Sequence, residues 1–243
     1  MRDQLIETHL QIKKEYIRTQ NTDPLMKILV CLSVVPDIVT KIQFSTDNKR
    51  FDPTGISFII NPHDEFCLTK AIMLQESAGA KVDVLTVGGV TTEAILRKAL
   101  AIGADEAIRI DTDPVESCYV AQKIVDFIKT SPYNLILMGK ESIDYNGGIV
   151  PALVTASLDY AFVNACIGLD LIEANRIKAV CESDADNKTL SCELPLIAAG
   201  QKGLVDEKDL RIPNMRGIMT ARNKPLRVNR AYKSPSQGTS HNL

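Results

Sequence analysis

Tryptophan is absent, histidine occurs three times, and none of the six cysteines (31, 67, 118, 166, 181 and 192) falls in a CxxC spacing. So few soft ligands without paired spacing argue against a zinc site. His9 and His241 lie near the ends of the chain, which leaves His63 as the one histidine within its body, too little for a Ser/His/Asp arrangement. Neither GxxxxGK[ST] nor GxGxxG occurs, so a nucleotide hydrolase or a dinucleotide dehydrogenase is disfavoured. No run approaches the roughly 18 apolar residues of a membrane helix. The first twenty residues are charged throughout, unlike a secretory signal, and no direct membrane insertion is expected. A net charge of −2 gives no reason to expect nucleic-acid binding. The cysteines sit in apolar runs, which fits a reducing compartment, and the expected location is cytoplasmic.

The chain does have an apolar fraction of 45% spread over 243 residues, ample for a core in one large domain or one domain with an appendage. Residues 1–25 are polar and helix-prone, and read as an appended helix or as sequence translated from an upstream start. From Met26 strands and helices alternate. Ile28 to Leu32 is a continuous apolar run, as in a strand covered on both faces. Residues 38–60 read as an inserted hairpin. Asn61 is expected to cap a helix that has Pro62 first and Asp64 in its first turn. "KVDVLTV", "EAIRI" and "NLILM" supply further strands. Helices follow "GGV", Asp113-Pro114 (with Glu116 completing a capping box) and the loop after "NLILM". Repeats of this length imply a parallel sheet with right-handed crossovers. After Phe162 the alternation in "CIGLDLIEANRIKAVCES" and "KTLSCELPLIAAG" suggests an antiparallel ribbon finishing the sheet. The expected division is 1–25, an α/β domain over 26–203, and a polar, basic C-terminal segment over 204–243 that ends in a loose tail.

In an open α/β sheet ligands sit beyond the carboxyl ends of the strands, where strand order reverses. The segments there are "VVPD", "GGV" and "GKESIDYNGG". Gly88-Gly89 and Gly147-Gly148 let backbone N–H groups approach a ligand, each ahead of a helix N-terminus that favours anions. Glycine pairs of this kind also make plain turns. Asp144 orders a ligand hydroxyl or caps its loop, His63 is a surface histidine or a chemical one, and Cys31 reads as core.

Several stretches together resemble the electron transfer flavoprotein beta subunit. "MKILVCLSVVPD" is similar to the family's opening strand and loop, and "INPHDEFCLTKAIMLQE" to its Asn-Pro helix start. "GGVTTEAILRKALAIGADEAIRI" is similar to its Ala-Leu helix and Gly-Ala-Asp turn, and "GKESIDYNGG" to its Asp-containing loop. "IPNMRGIMTARNKPL" is similar to its partner-facing segment. The likeness covers about Met26 to Val228. It implies a parallel Rossmann-like sheet of the adenine nucleotide alpha-hydrolase type, with an antiparallel ribbon and a C-terminal extension. It also implies an electron carrier without catalytic residues, in a heterodimer with an alpha subunit that holds most of an FAD. Electrons would come from acyl-CoA and other dehydrogenases and pass to a quinone oxidoreductase, with AMP bound structurally in this subunit. By position, the nucleotide contacts fall at Cys31, at Asn61, Pro62, His63 and Asp64, and at Gly88. They continue at Gly139, Lys140, Glu141, Ser142, Ile143, Asp144, Tyr145, Asn146, Gly147, Gly148, Ile149 and Val150. The dehydrogenase-docking loop falls at Ile212, Pro213, Asn214 and Met215, with Ile218 and Met219 packing on a partner.

The chain departs from the family pattern in ways that bear on the nucleotide. Gly148, Ile149 and Val150 stand where the family has Asn or Gln and Thr, so side-chain contacts to a phosphate are lost and backbone N–H groups would have to hold it. Glu141 replaces a glutamine. The signature before the last sheet strand reads Cys181, Asp184-Ala185-Asp186 and Lys188 in place of a basic residue, acid-Gly-Gly and Glu. Three rivals follow. One is a bifurcating subunit with a second FAD in place of AMP, another a stand-alone adenine-nucleotide-binding module, and the third a structural subunit without nucleotide.

Overall fold

The computed structural model describes residues 26–41, 43–44 and 51–230. The expected N-terminal helix, the C-terminal tail and part of the hairpin lie outside those residues. The apolar runs form strands β1 (Lys27–Cys31), β4 (Lys81–Val87), β5 (Glu106–Asp111) and β6 (Leu135–Gly139), all parallel. Between β1 and β4, a short ribbon pairs β2 (Val34–Pro36) with β3 (Phe58–Ile60), and Phe44 bridges Phe51 beyond it. The hairpin therefore starts at Val34, earlier than the expected span of 38–60.

Alternate side chains of the strands feed two cores. Ile28, Val30, Val82, Val84, Leu135 and Leu137 face helices α1 (Pro62–Ala78) and α2 (Glu93–Ile102). Leu29, Leu85, Ile108, Ile110 and Ile136 face α3 (Ser117–Thr130) and α4 (Val150–Leu158). Burying an Ile, Leu or Val of this kind contributes about 1.5–3 kcal/mol, which is why β1 tolerates no polar residue between Ile28 and Cys31. α1 ends at Gly79, whose φ of 71° is the left-handed conformation a C-cap needs, and its N–H closes on Gln75 O.

Among the described residues, strand order in the nine-stranded sheet is β11 (Leu226–Arg230), β5, β4, β1, β6, β10 (Leu196–Gly200), β7 (Ala161–Glu173), β8 (Arg176–Cys181) and β9 (Lys188–Glu193). The chain runs outward from β1 through β4 to β5, then returns to β6 on the other side of β1, so the order reverses between β1 and β6. β7, β8 and β9 form the expected antiparallel ribbon. β10 corrects the expectation for "LPLIAAG". It is not the ribbon's last strand but a fully buried strand inserted between β6 and β7, parallel to both. Its small residues Ala198, Ala199 and Gly200 suit that crowded place, since a Cβ on Gly200 would collide with Cys67 and Leu204.

The basic C-terminal segment also returns to the sheet. α5 (Met215–Ala221) packs on α2 so closely that a Cβ on Gly217 would strike the carbonyl of Ala101. β11 then pairs parallel with β5 at the sheet edge. Lys224 Nζ donates to the carbonyls of Leu100, Gly103 and Ala104 at the end of α2. Arg227 grips Glu106 with two guanidinium nitrogens, Nη2 lying 2.6 Å from Oε2. At the same amino-terminal end of the sheet Tyr133 donates to buried Asp83. Part of the basic stretch thus stabilises the fold itself.

Candidate functional site

The first turn of α1 ties together the loops on either side of the strand-order reversal. Asp64 is buried, and its carboxylate accepts the N–H of Ser33 (2.7 Å), just past β1, and of Gly139 (2.6 Å), the last residue of β6. Burial raises its pKa to about 7, against the pull of those same N–H donors. Asn61 precedes the helix without capping it by its side chain. Instead its Nδ2 donates to Glu141 O (2.8 Å) and its Oδ1 accepts from Ile143 N–H (3.2 Å). This corrects the capping role expected from the Asn-Pro sequence. An amide can satisfy a carbonyl and an N–H at once, so a distant loop outcompetes the helix's own N–H groups.

Beyond the strand ends lies a cavity of about 700 Å³. Cys31, Asp64, Gly88, Gly139, Glu141, Ser142, Asp144, Tyr145, Gly147 and Val150 line it. Asn61, Pro62, His63, Lys140, Ile143, Asn146, Gly148 and Ile149 lie outside the lining. Of these, Asn61 supports the 139–147 loop, and His63 Nε2 lies 3.8 Å from Glu141 Oε1. Burial lowers the His63 pKa, Glu141 opposing and Lys140 assisting that shift. Gly89, paired with Gly88 in the sequence, also lines it, and residues not expected from the sequence add to the wall: Ser33 after β1, Thr91 and Thr92 after β4, and Asp113 to Ser117, Val120 and Ile124. The stretch 113–116 was expected to be helical. α3 instead begins at Ser117, and Glu116 is extended without a side-chain cap, so the four residues form a loop over the cavity.

The glycines divide by what their missing side chains admit. At Gly139 a Cβ would collide with Asp64 and Asn61, at Gly88 with Thr92, and at Gly147 with the Tyr145 ring. These three are small so that other parts of the protein can approach. Gly89 differs, since no atom lies within 4 Å of the position its Cβ would take. Several N–H groups are also engaged internally: Gly88 donates to Ile110 O, Lys140 to Gly200 O and Ser142 to Gly147 O. Gly147 is bridged to Ser142 across the loop, whereas the N–H of Gly89 makes no hydrogen bond among the described residues.

The electrostatics are one-sided. Asp64, Asp113, Glu116, Glu141 and Asp144 all line the cavity, and among the described residues no lysine or arginine does. Arg109, on β5, donates to Gly88 O (3.1 Å) but is paired with Glu93 and Asp111. Carboxylates, hydroxyls and free N–H groups can hold ribose hydroxyls and the amino edge of a base. A phosphate group would find backbone N–H donors and no side-chain cation. No group of three or more His, Cys, Asp or Glu side chains is arranged to hold a metal ion among the described residues.

The residues expected to dock a partner lie away from the cavity, just ahead of α5 and at its first residue. Ile212 is 79% and Met215 77% exposed. Asn214 caps α5 by accepting Gly217 N–H at 2.7 Å. Pro213 borders a groove of about 510 Å³ between α2 and α5, with Ala94, Ala101 and Ile218 on its walls. Among the described residues no helix is long and apolar enough to cross a membrane.

Comparison with known proteins bears on this arrangement. Residues 50–233 match the family described as "Electron transfer flavoprotein domain". The chain is 32% identical over 205 residues to the electron transfer flavoprotein subunit beta of Bacillus subtilis, covering 83% of this chain and 77% of that protein. The protein of that name from Syntrophomonas wolfei is 33% identical over 216 residues, 87% of this chain and 82% of its own. The human protein of that name is 26% identical over 209 residues, covering 84% and 80%.

Proposed function

The chain belongs to the electron transfer flavoprotein family, among its beta subunits, and on that premise we propose that it serves as an electron carrier subunit completed by a flavin-bearing alpha subunit. Dehydrogenases, acyl-CoA dehydrogenases among them, deliver the electrons, and an electron transfer flavoprotein-quinone oxidoreductase receives them. FAD, held mostly by the alpha subunit, supplies the redox chemistry when bound, and the protein supplies position and environment.

In this reading the cavity holds AMP, whose role is structural. The observation that carries it is the cavity's place at the strand-order reversal, walled by the ends of β1, β4 and β6. Asp144, Glu141 and Ser142 suit the ribose and base, and the N–H of Gly89 suits the phosphate. Ile212, with Pro213 and Met215 beside it, forms an apolar anchor for a dehydrogenase, and Arg216 and Arg222 stand near it on α5 and its end to meet acidic groups.

A second reading is favoured by the five carboxylates and, among the described residues, the lack of a cation in the lining: a structural subunit that keeps the cavity and carries no nucleotide. Co-expression with the alpha subunit, followed by an absorption spectrum of the pure complex, tests the flavin part. One flavin per heterodimer supports the proposal, two point to a bifurcating subunit with FAD in this cavity, and a chain that stays alone and flavin-free overturns it.

A further inference from the structure

β7 changes partners at Cys166. Up to that residue it pairs with β10, Cys166 lying opposite Gly200, and from that residue it pairs with β8, Cys166 lying opposite Cys181. The register shifts on both sides at this point, and Ala165 adopts φ 48°, a conformation costly for a residue with a Cβ. Glu182 N–H donates to Ala165 O at 2.9 Å, which makes 165 and 182 a hydrogen-bonded pair and therefore 166 and 181 the adjacent non-hydrogen-bonded pair. Facing residues at such a site have Cα atoms about 4.5 Å apart, within the span of about 4.4–6.8 Å that a disulfide bridges. Side chains directly opposite share a face, and both thiols pack on the same core. Cys166 is buried and Cys181 is half-buried. Cys192, on β9, packs there too, but its partner across the ribbon is Ile177, four residues from Cys181.

We propose that Cys166 and Cys181 form a reversible cross-strand disulfide at the base of the ribbon, made in response to a hydroperoxide. Cys181, the accessible thiol, reacts first as its thiolate. Its sulfur takes the terminal peroxide oxygen, the O–O bond breaks, and Cys181 becomes a sulfenic acid while the peroxide's other oxygen leaves as water or alcohol. The Cys166 sulfur then attacks the Cys181 sulfur. The S–S bond forms, the S–O bond breaks, and the hydroxyl leaves with the Cys166 proton as water. Two thiols lose two electrons and two protons to the peroxide. Burial pushes the Cys166 thiol up to about 11, which disfavours it as the thiol that meets the peroxide. The bond locks the angle at which β7 leaves the sheet. Gln201 lies against this junction, its N–H on Cys166 O and its side chain on Glu182, so the end of β10 is fixed with it. This inference is independent of what the cavity binds.

The test is peptide mapping of the full-length chain, reduced, freed of reductant, treated with hydrogen peroxide and alkylated. Trypsin cleaves after Lys178 and Lys188 and so separates the three cysteines. The expected product is a Cys166–Cys181 peptide pair lighter by two hydrogens, reversed by dithiothreitol, with ribbon amides exchanging roughly tenfold more slowly in the oxidised chain. Cys192→Ser retains the link, and in Cys181→Ser the Cys166 thiol stays reduced. A Cys181–Cys192 link, a link between two chains, or overoxidised Cys181 beside unmodified Cys166 would overturn the proposal.

Discussion

The Asp64 carboxylate accepts the N–H of Gly139 at 2.6 Å, so the first turn of α1 holds the end of β6 beside the end of β1. This contact joins the two edges of the strand-order reversal. The shape of the cavity depends on it, because the 139–147 loop starts from that glycine.

Asp64 should make stability pH-dependent. Its folded pKa of about 7 stands above the usual carboxylate value, so the folded chain binds this proton more tightly than the unfolded chain does. The contribution is fully present below about pH 4 and is lost as pH rises through about 7. In urea denaturation the parent should lose ground to Asp64→Asn across that window, by at most about 1.4 kcal/mol per pH unit. Parallel pH profiles for the two proteins would show that Asp64 does not titrate there.

Gly139→Ala and Gly89→Ala should separate fold from ligand. The first drives a methyl group into Asp64 and Asn61 and should cost about 1–3 kcal/mol or more. The second meets open space and should leave the melting temperature within a degree or two of the parent's, while any change in nucleotide retention reports on the cavity. Equal melting temperatures for Gly139→Ala and the parent would refute the packing argument.

Arg227→Ala should loosen the sheet edge. Arg227 is the bidentate partner of buried Glu106 and stands on a strand whose side chains are largely exposed. The expected loss is about 1–2 kcal/mol, between the values for exposed and buried pairs. Faster amide exchange confined to β11 and β5 would localise it. Unchanged exchange there would mean that backbone pairing alone holds β11.

Much of this architecture is legible in the residues. β1, β4, β5 and β6 announce themselves because strands covered on both faces need unbroken apolar runs. β10 was harder to place, because a short small-residue strand looks the same whether its neighbours run parallel or antiparallel. β11 is hidden for the opposite reason: it is an edge strand with an intermediate Leu226 and four exposed residues after it, so "LRVNR" carries no apolar signal.

The cavity was legible where loops follow strands and obscure where a helix approaches. Gly88, Gly139 and Asp144 could be found because strand ends are marked by Gly and Asp. Asp113 to Ser117 could not, since Asp-Pro followed by Glu reads as a helix start and the chain delays the helix to Ser117. Asn61 misled for a tertiary reason, its side chain being taken by Glu141 and Ile143 some 80 positions away.

Ile212→Ala should slow electron delivery from an acyl-CoA dehydrogenase by roughly tenfold, as expected for a truncated, exposed anchor, without altering the flavin spectrum of the complex. Stopped-flow mixing of reduced dehydrogenase with the heterodimer measures it. Equal rates in variant and parent would remove the docking role.

The most direct test is the nucleotide content of the purified heterodimer, released by acid and quantified by chromatography. The proposed function predicts one AMP and one FAD for each pair of subunits, with AMP lost when Gly89→Val fills the one open glycine of the cavity. A complex that contains FAD and no adenylate, or a variant that keeps its full complement of AMP, would contradict it.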